Sequence, residues 1–135
     1  MAITPITKKR AYYSDLDKAL TLNPVTNDVA RKINENAVKE SITNLILTNR
    51  GDRPFQPELG CDIRSQLFES ITQDTLDTIK IMISETLDAY EPRADILGID
   101  VGGRIDSNEL SVTITFVVIN SDEPTTLEII LNRIR

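Results

Sequence analysis

Carboxylate chemistry is the catalysis this sequence could most readily attempt. It has 21 Asp and Glu residues and no histidine, which leaves out His-based triads, HExxH zinc sites and imidazole-ligated metals. Two acidic side chains can hydrolyse a glycosidic bond, but with so many of them close pairs arise in any fold. Glu91 has the most unusual setting, within Tyr90-Glu91-Pro92-Arg93. Pro92 disfavours the α region for the residue before it and has no N–H to continue a helix. Beyond it the chain is extended, and residues two apart share one side. Glu91 and Arg93 therefore stand close together with opposite charges, as a brace, an active-site corner or a docking point. The guanidinium favours an ionised Glu91, whereas a general acid must hold its proton. There is no Trp and only 4% of residues are aromatic, so little is available to line a sugar cleft. A structural ion pair outweighs a glycosidase here.

Other constellations are weaker. Asp15, Asp17 and the Asp74/Asp77 pair lack the loop spacing of a calcium site, and a solvated acidic face is the default. Pro54 and Pro57 have PxxP spacing but sit between helices, where a rigid connector is expected. Arg50-Gly51-Asp52 spells an adhesion tripeptide of almost no specificity. Gly102-Gly103 opens no GxGxxG or GKS/T pattern and reads as a bulge or bend between strands. No catalytic, metal or cofactor site is expected. The net charge of −6 argues against nucleic-acid binding, and Lys8-Lys9-Arg10 reads as a solvated arm. The single cysteine, Cys61, excludes an internal disulfide framework and reads as a partly buried thiol in a reducing cytoplasm. No secretory signal or membrane-length apolar run is present.

The elements that must position Glu91 and Arg93 follow from periodicity. Residues 1–10 read as an arm and 11–135 as one domain. Residues 11–17 form a short strand or docked turn, and Leu22-Asn23-Pro24 a loop. Val29, Ile33, Ala37, Ile42, Leu45 and Ile46 share a helical stripe, predicting a helix over 28–48 capped by Thr26 or Asn27 and ended by Gly51 at the left-handed C′ position. The prolines and Gly60 make 52–60 irregular, with Phe55 anchoring that loop to the core. A short helix spans 62–69, with Ile63, Leu67 and Phe68 inward. Thr72 caps a third helix running to Tyr90, with Leu76, Ile79, Ile83, Leu87 and Tyr90 on its buried face. The period then becomes two. Leu97, Ile99 and Val101 alternate in one strand, and 104–109 is a hairpin loop. Leu110, Val112, Ile114, Phe116 and Val118 alternate in the next, and 120–124 is a turn. A last strand over 125–134 places Leu127, Ile129 and Leu131 on one face, Ile130 and Ile134 on the other. The fold class is α+β: two long helices and one short, packed on a C-terminal antiparallel meander of about three strands. Such a sheet leaves edge groups that an incoming strand can satisfy, so the residues favour a binding module over an enzyme.

Several motifs occur together in one order: Tyr13-Ser14-Asp15; Gly51-x-Arg53-x-Phe55-x-Pro57-x-x-Gly60; Leu67-Phe68-Glu69; and Tyr90-Glu91-Pro92-Arg93. Jointly they resemble the baseplate wedge subunits of contractile-tailed phages, the sheath-initiator family shared with type VI secretion baseplates. The resemblance is strongest over 12–101. It implies a non-enzymatic structural protein of the virion tail, present in multiple copies in a symmetric assembly. It implies that Glu91, Pro92 and Arg93 contact the helical core bundle of other wedge subunits. It further implies a C-terminal sheet like the strand-exchanging part of a sheath subunit, templating the first ring of tail sheath protein. Tyr13, Gly51, Arg53, Phe55, Pro57, Gly60, Leu67 and Phe68 are its structural motif residues. The family also carries a lysozyme label, which the residues around Glu91 do not support. A peptidoglycan-degrading glycosidase and a generic strand-accepting adaptor remain the alternatives.

Overall fold

The computed structural model describes residues 12–104, 106 and 109–132. The arm over 1–10 and Ile134 lie outside the described residues. The first surprise is at the N-terminal end, where an antiparallel ribbon replaces the start of the expected helix. β1 (Ser14–Leu16) pairs with β4 (Arg31–Ile33), and nested inside them β2 (Leu22–Asn23) pairs with β3 (Asp28–Val29). Asp17 N and Ala30 N donate to Ala30 O and Thr21 O across the junction. The Asp17 carboxylate accepts from Thr21 Oγ1 and Ala19 N and faces Lys32. The Thr21 hydrogen bond, more than any other contact, holds that carboxyl below the ordinary aspartate range.

The first helix, α1, runs Asn34–Leu47 rather than 28–48, and neither Thr26 nor Asn27 caps it. Val29 and Ile33 match a helical stripe by spacing alone, and in the structure Ile33 is largely exposed on a strand. The break has a local cause. Asn34 takes φ +49, a left-handed conformation that Asn tolerates better than most residues. Its Oδ1 accepts from Tyr12 N and Tyr13 N at 2.9 and 3.4 Å. The helix therefore begins where the ribbon is stitched to it. From there the stripe holds: Ala37, Val38, Ile42, Leu45 and Ile46 are buried. At the other end Thr48 is the C-cap, so Gly51, at φ +91, is a turn residue beyond the helix and not its C′ position.

The second helix, α2 (Ile63–Gln66), is one turn. Ile63 is buried and Leu67 packs against the core, but Phe68 is 69% exposed, contrary to expectation. The third, α3 (Gln73–Tyr90), is capped as expected, Thr72 Oγ1 accepting from Thr75 N at 3.3 Å, but Tyr90, expected on its buried face, is exposed and Leu76 is only partly buried. Ile79, Ile83 and Leu87 are fully buried at helical spacing.

The strands β5 (Ala94–Arg104), β6 (Glu109–Val118) and β7 (Pro124–Asn132) form an antiparallel meander in the order β5-β6-β7. All five alternate apolar residues of β6 are buried under the helices. On β7, Ile129 and Leu131 face the same core while Ile130 is 60% exposed on the other side. Two expectations for β5 fail. A register shift between Ile96 and Gly98 turns Leu97 outward, so Ile96 and Ile99 face the core on either side of a bulge. Gly102 and Gly103 make no bend; they pair in register with Ser111 and Leu110. At Gly103 a Cβ would stand 2.6 Å from Ile71 Cγ2, so the missing side chain lets the segment before α3 close over the sheet.

Candidate functional site

The corner between α3 and β5 is built as its residues require. Glu91 N closes the last helical turn on Leu87 O at 2.9 Å, Pro92 stops further propagation, and Ala94 N reaches back to Glu91 O at 3.4 Å. Arg93 O accepts from Ile119 N at 2.9 Å, which fixes the corner to the end of β6. Both charges turn toward one another. Arg93 Nε donates to Glu91 Oε1 at 2.7 Å and Nη2 to Oε2 at 3.2 Å, a fork-on-carboxylate pair. Ser41 Oγ, from the middle of α1, donates to Glu91 Oε2. The free edge of the guanidinium reaches both oxygens of Asp15, at 3.1 and 3.3 Å, and its carbon lies 5.7 Å from the centre of the Tyr13 ring.

One arginine thus ties together β1, the end of α3 and the start of β5, with α1 joined through Ser41. The Glu91 side chain is 2% exposed and that of Arg93 25%. Hydrogen bonding to Glu91, more than to Asp15, raises Arg93 above its ordinary value and keeps it charged. Glu91 has no open face toward a substrate, and Asp15 is turned to the same guanidinium. This geometry braces layers; it does not present an acid and a base to a sugar. Pro92 alone of the three motif residues is fully on the surface.

The 51–60 motif is brought together elsewhere. Thr48 O accepts from Cys61 N at 2.9 Å, closing the loop at its base. Gly60, at φ +128, crosses that base so closely that a Cβ would meet Thr48 O at 2.5 Å. Gly51 N donates to Pro57 O, Gln56 N to Arg53 O, Leu59 N to Gln56 O, and Tyr90 Oη to Glu58 O, at 2.8–3.2 Å. These bonds hold the loop, yet Phe55, expected to anchor it to the core, is 98% exposed and anchors nothing among the described residues. Arg53 and Pro57 are also exposed. Cys61 is fully buried, and burial pushes its thiol up. Tyr13 is half-buried, its hydroxyl accepting from Asn120 Nδ2 at 3.4 Å.

Residues 33–123 match the family described as baseplate wedge protein gp25. The chain belongs to this family. As a baseplate wedge protein it is a structural component of the phage tail. It is 40% identical over 111 residues to the baseplate wedge protein gp25 of Enterobacteria phage T4, spanning 82% of this chain and 83% of that one. Among solved structures it is similar to a Geobacter sulfurreducens protein whose name carries a provisional tail-lysozyme label (27% identity, TM-score 0.66, 73% of this chain and 89% of that one). It also shares its fold with a chain of the anti-feeding prophage baseplate (19% identity, TM-score 0.63, 87% and 83% covered). The wedge motif residues fall into three places: the Glu91–Arg93 corner with Tyr13, the 51–60 loop, and the end of α2 with Leu67 and Phe68. Ser41, which no sequence motif marks, is the residue that reading missed. It lies fifty positions from Glu91, and nothing in its own neighbourhood signals the pairing.

Proposed function

We propose that this wedge subunit is a non-enzymatic template with two working surfaces on one domain over 11–135. The corner at Pro92 and the outer edge of Arg93 docks to the helical core bundle of other wedge subunits, while Glu91 holds Arg93 in place from within. The C-terminal sheet offers an edge to the first ring of tail sheath protein, which adds a strand to it. The observation that carries this is β7. It is an end strand, hydrogen-bonded only to β6 among the described residues, and its register is unbroken over nine pairs. The opposite edge, β5, is interrupted by its bulge, a feature that discourages strand addition. An unbroken edge supplies main-chain donors and acceptors to an incoming strand. Copies arranged around the tail would fix the orientation of the sheath subunits they capture.

The test is co-purification with purified wedge and sheath subunits, followed by imaging of any rings. Deleting 132–135 is expected to spare wedge binding and abolish ring nucleation. Normal rings from that deletion would sink strand templating. Placing a long cation on the surface corner with Pro92→Arg is expected to block wedge binding with little change in melting temperature. Undiminished wedge binding by that variant would move the docking site away from the corner.

A further inference from the structure

The 51–60 loop contradicts the usual reason for a phenylalanine. A loop closed by backbone hydrogen bonds on both flanks of Phe55, and fastened to α3 through Tyr90, holds the side chain in water at 98% exposure. The loop's main chain has little ordering entropy left to lose on binding, so the cost falls mainly on the Phe55 side chain itself. Beside it lies a groove of about 370 Å³ lined by Phe55, Pro57, Leu59 and Tyr90. Leu59 and Tyr90 also line a second groove, of about 280 Å³, together with Asp15, Leu16, Glu40 and Arg53. The two grooves are neighbours, sharing Leu59 and Tyr90, and the second reaches Asp15, the carboxylate that faces Arg93 at the corner. Arg53 is exposed and makes no side-chain hydrogen bond or ion pair among the described residues. Its neighbour Asp52 is already engaged, accepting from Asn49 N at 3.0 Å.

We infer that Phe55 is an anchor for another wedge subunit, entering an apolar recess on that subunit with a carboxylate placed to meet Arg53. The inference rests on the wedge-docking reading of the corner and extends the same surface along the groove. An apolar occupant matches Phe55, Leu59, Tyr90 and Leu16. A single carboxylate at Arg53 matches the one cation in the grooves, unpaired among the described residues, while Asp15, Glu40 and Glu58 on the same lining disfavour a broadly acidic partner. Docking at the corner and at Phe55 together would hold the subunit at two separated points and fix its rotation against the bundle.

The experiment measures binding of the full chain to the purified remaining wedge subunits for wild type, Phe55→Ala, Arg53→Glu and Pro92→Arg. Each variant is also melted and sized by sedimentation. Phe55→Ala is expected to weaken binding about tenfold or more with unchanged melting, and Arg53→Glu to weaken it similarly through repulsion. Binding by Phe55→Ala within twofold of wild type overturns the inference. If Pro92→Arg is blocked in that same case, the corner reading stands without the anchor. If Phe55→Ala fails while Pro92→Arg binds normally, the anchor is supported and the corner reading falls. Loss of a self-associated species in Phe55→Ala, with wedge binding intact, makes a second copy the occupant and also overturns the inference.

Discussion

The corner at Glu91–Arg93 and the loop over 51–60 start from similar materials. Each follows a long helix, and each sets an arginine next to a proline. In the corner the arginine is two positions past a glutamate across a turn, with Pro92 and Arg93 its middle residues rather than the extended chain expected, and its fork closes on that carboxylate between the helical layer and the sheet. In the loop the arginine follows an aspartate whose oxygen already accepts from the backbone at Asn49, so Arg53 stays in water with Phe55 beside it. The lesson is that spacing to a free carboxylate, and not the presence of a charged motif, decides whether a motif is used inside its own chain. The corner braces the domain, and the loop keeps Arg53 and Phe55 in water.

The sharpest way to break this contrast is Arg93→Ala. It leaves Glu91 buried with only Ser41 as a donor, and uncompensated buried charges of this kind cost about 3–5 kcal/mol. A urea midpoint well below that of wild type is expected, at an unchanged slope. Arg93→Lys restores the charge without the fork, so it should recover part of the loss. A wild-type midpoint for Arg93→Ala would mean that the corner is not the internal brace described, and would move Arg93 into the same class as Arg53.

Gly60→Ala comes next. It puts a Cβ against the backbone oxygen of Thr48 at a φ of +128, which side-chain-bearing residues rarely adopt. A loss of about 2–3 kcal/mol is expected, with faster amide exchange through 49–61. If exchange there is already fast in the wild type, the loop is not the rigid presenter of Phe55 that the contrast requires.

The legible parts of the fold were those where one face is buried along a whole element. Helix α3, from its Thr72 cap to Tyr90, and the strict alternation of β6 are written in residue type because each has a single dry side. The ribbon of β1 to β4 has no such side: Leu16, Leu20, Leu22 and Val25 are all exposed, and Val29 and Ile33 happened to fall at helical spacing with Ala37. Leu97 misled because a bulge reverses strand phase without leaving a mark in apolar pattern. Phe55 misled because aromatic character suggests burial, whereas a loop closed by its own backbone bonds leaves this ring in water. At the site, the closeness of Glu91 and Arg93 could be read from local spacing but not that they bind one another, and Ser41 and Asp15 arrive through tertiary structure from other elements.

The smallest effect sharpens the boundary between inward and outward charge. Asp15 meets Arg93 with side chains 39% and 25% exposed, so the contact is screened by water and salt. Asp15→Asn should cost no more than about 1 kcal/mol, and the difference from wild type should shrink between 0.05 and 0.5 M salt, taken as roughly two to four times shorter screening length. The cost of Arg93→Ala should hold over the same range, because Glu91 is shielded from the ions that weaken Asp15. Parallel salt sensitivity in the two variants would mean that the whole cluster is surface electrostatics and that Glu91 is reachable from solvent. Divergent sensitivity places the dividing line within one guanidinium: its Nε side belongs to the core, and its Nη1 side, with Asp15, to the solvent-facing surface.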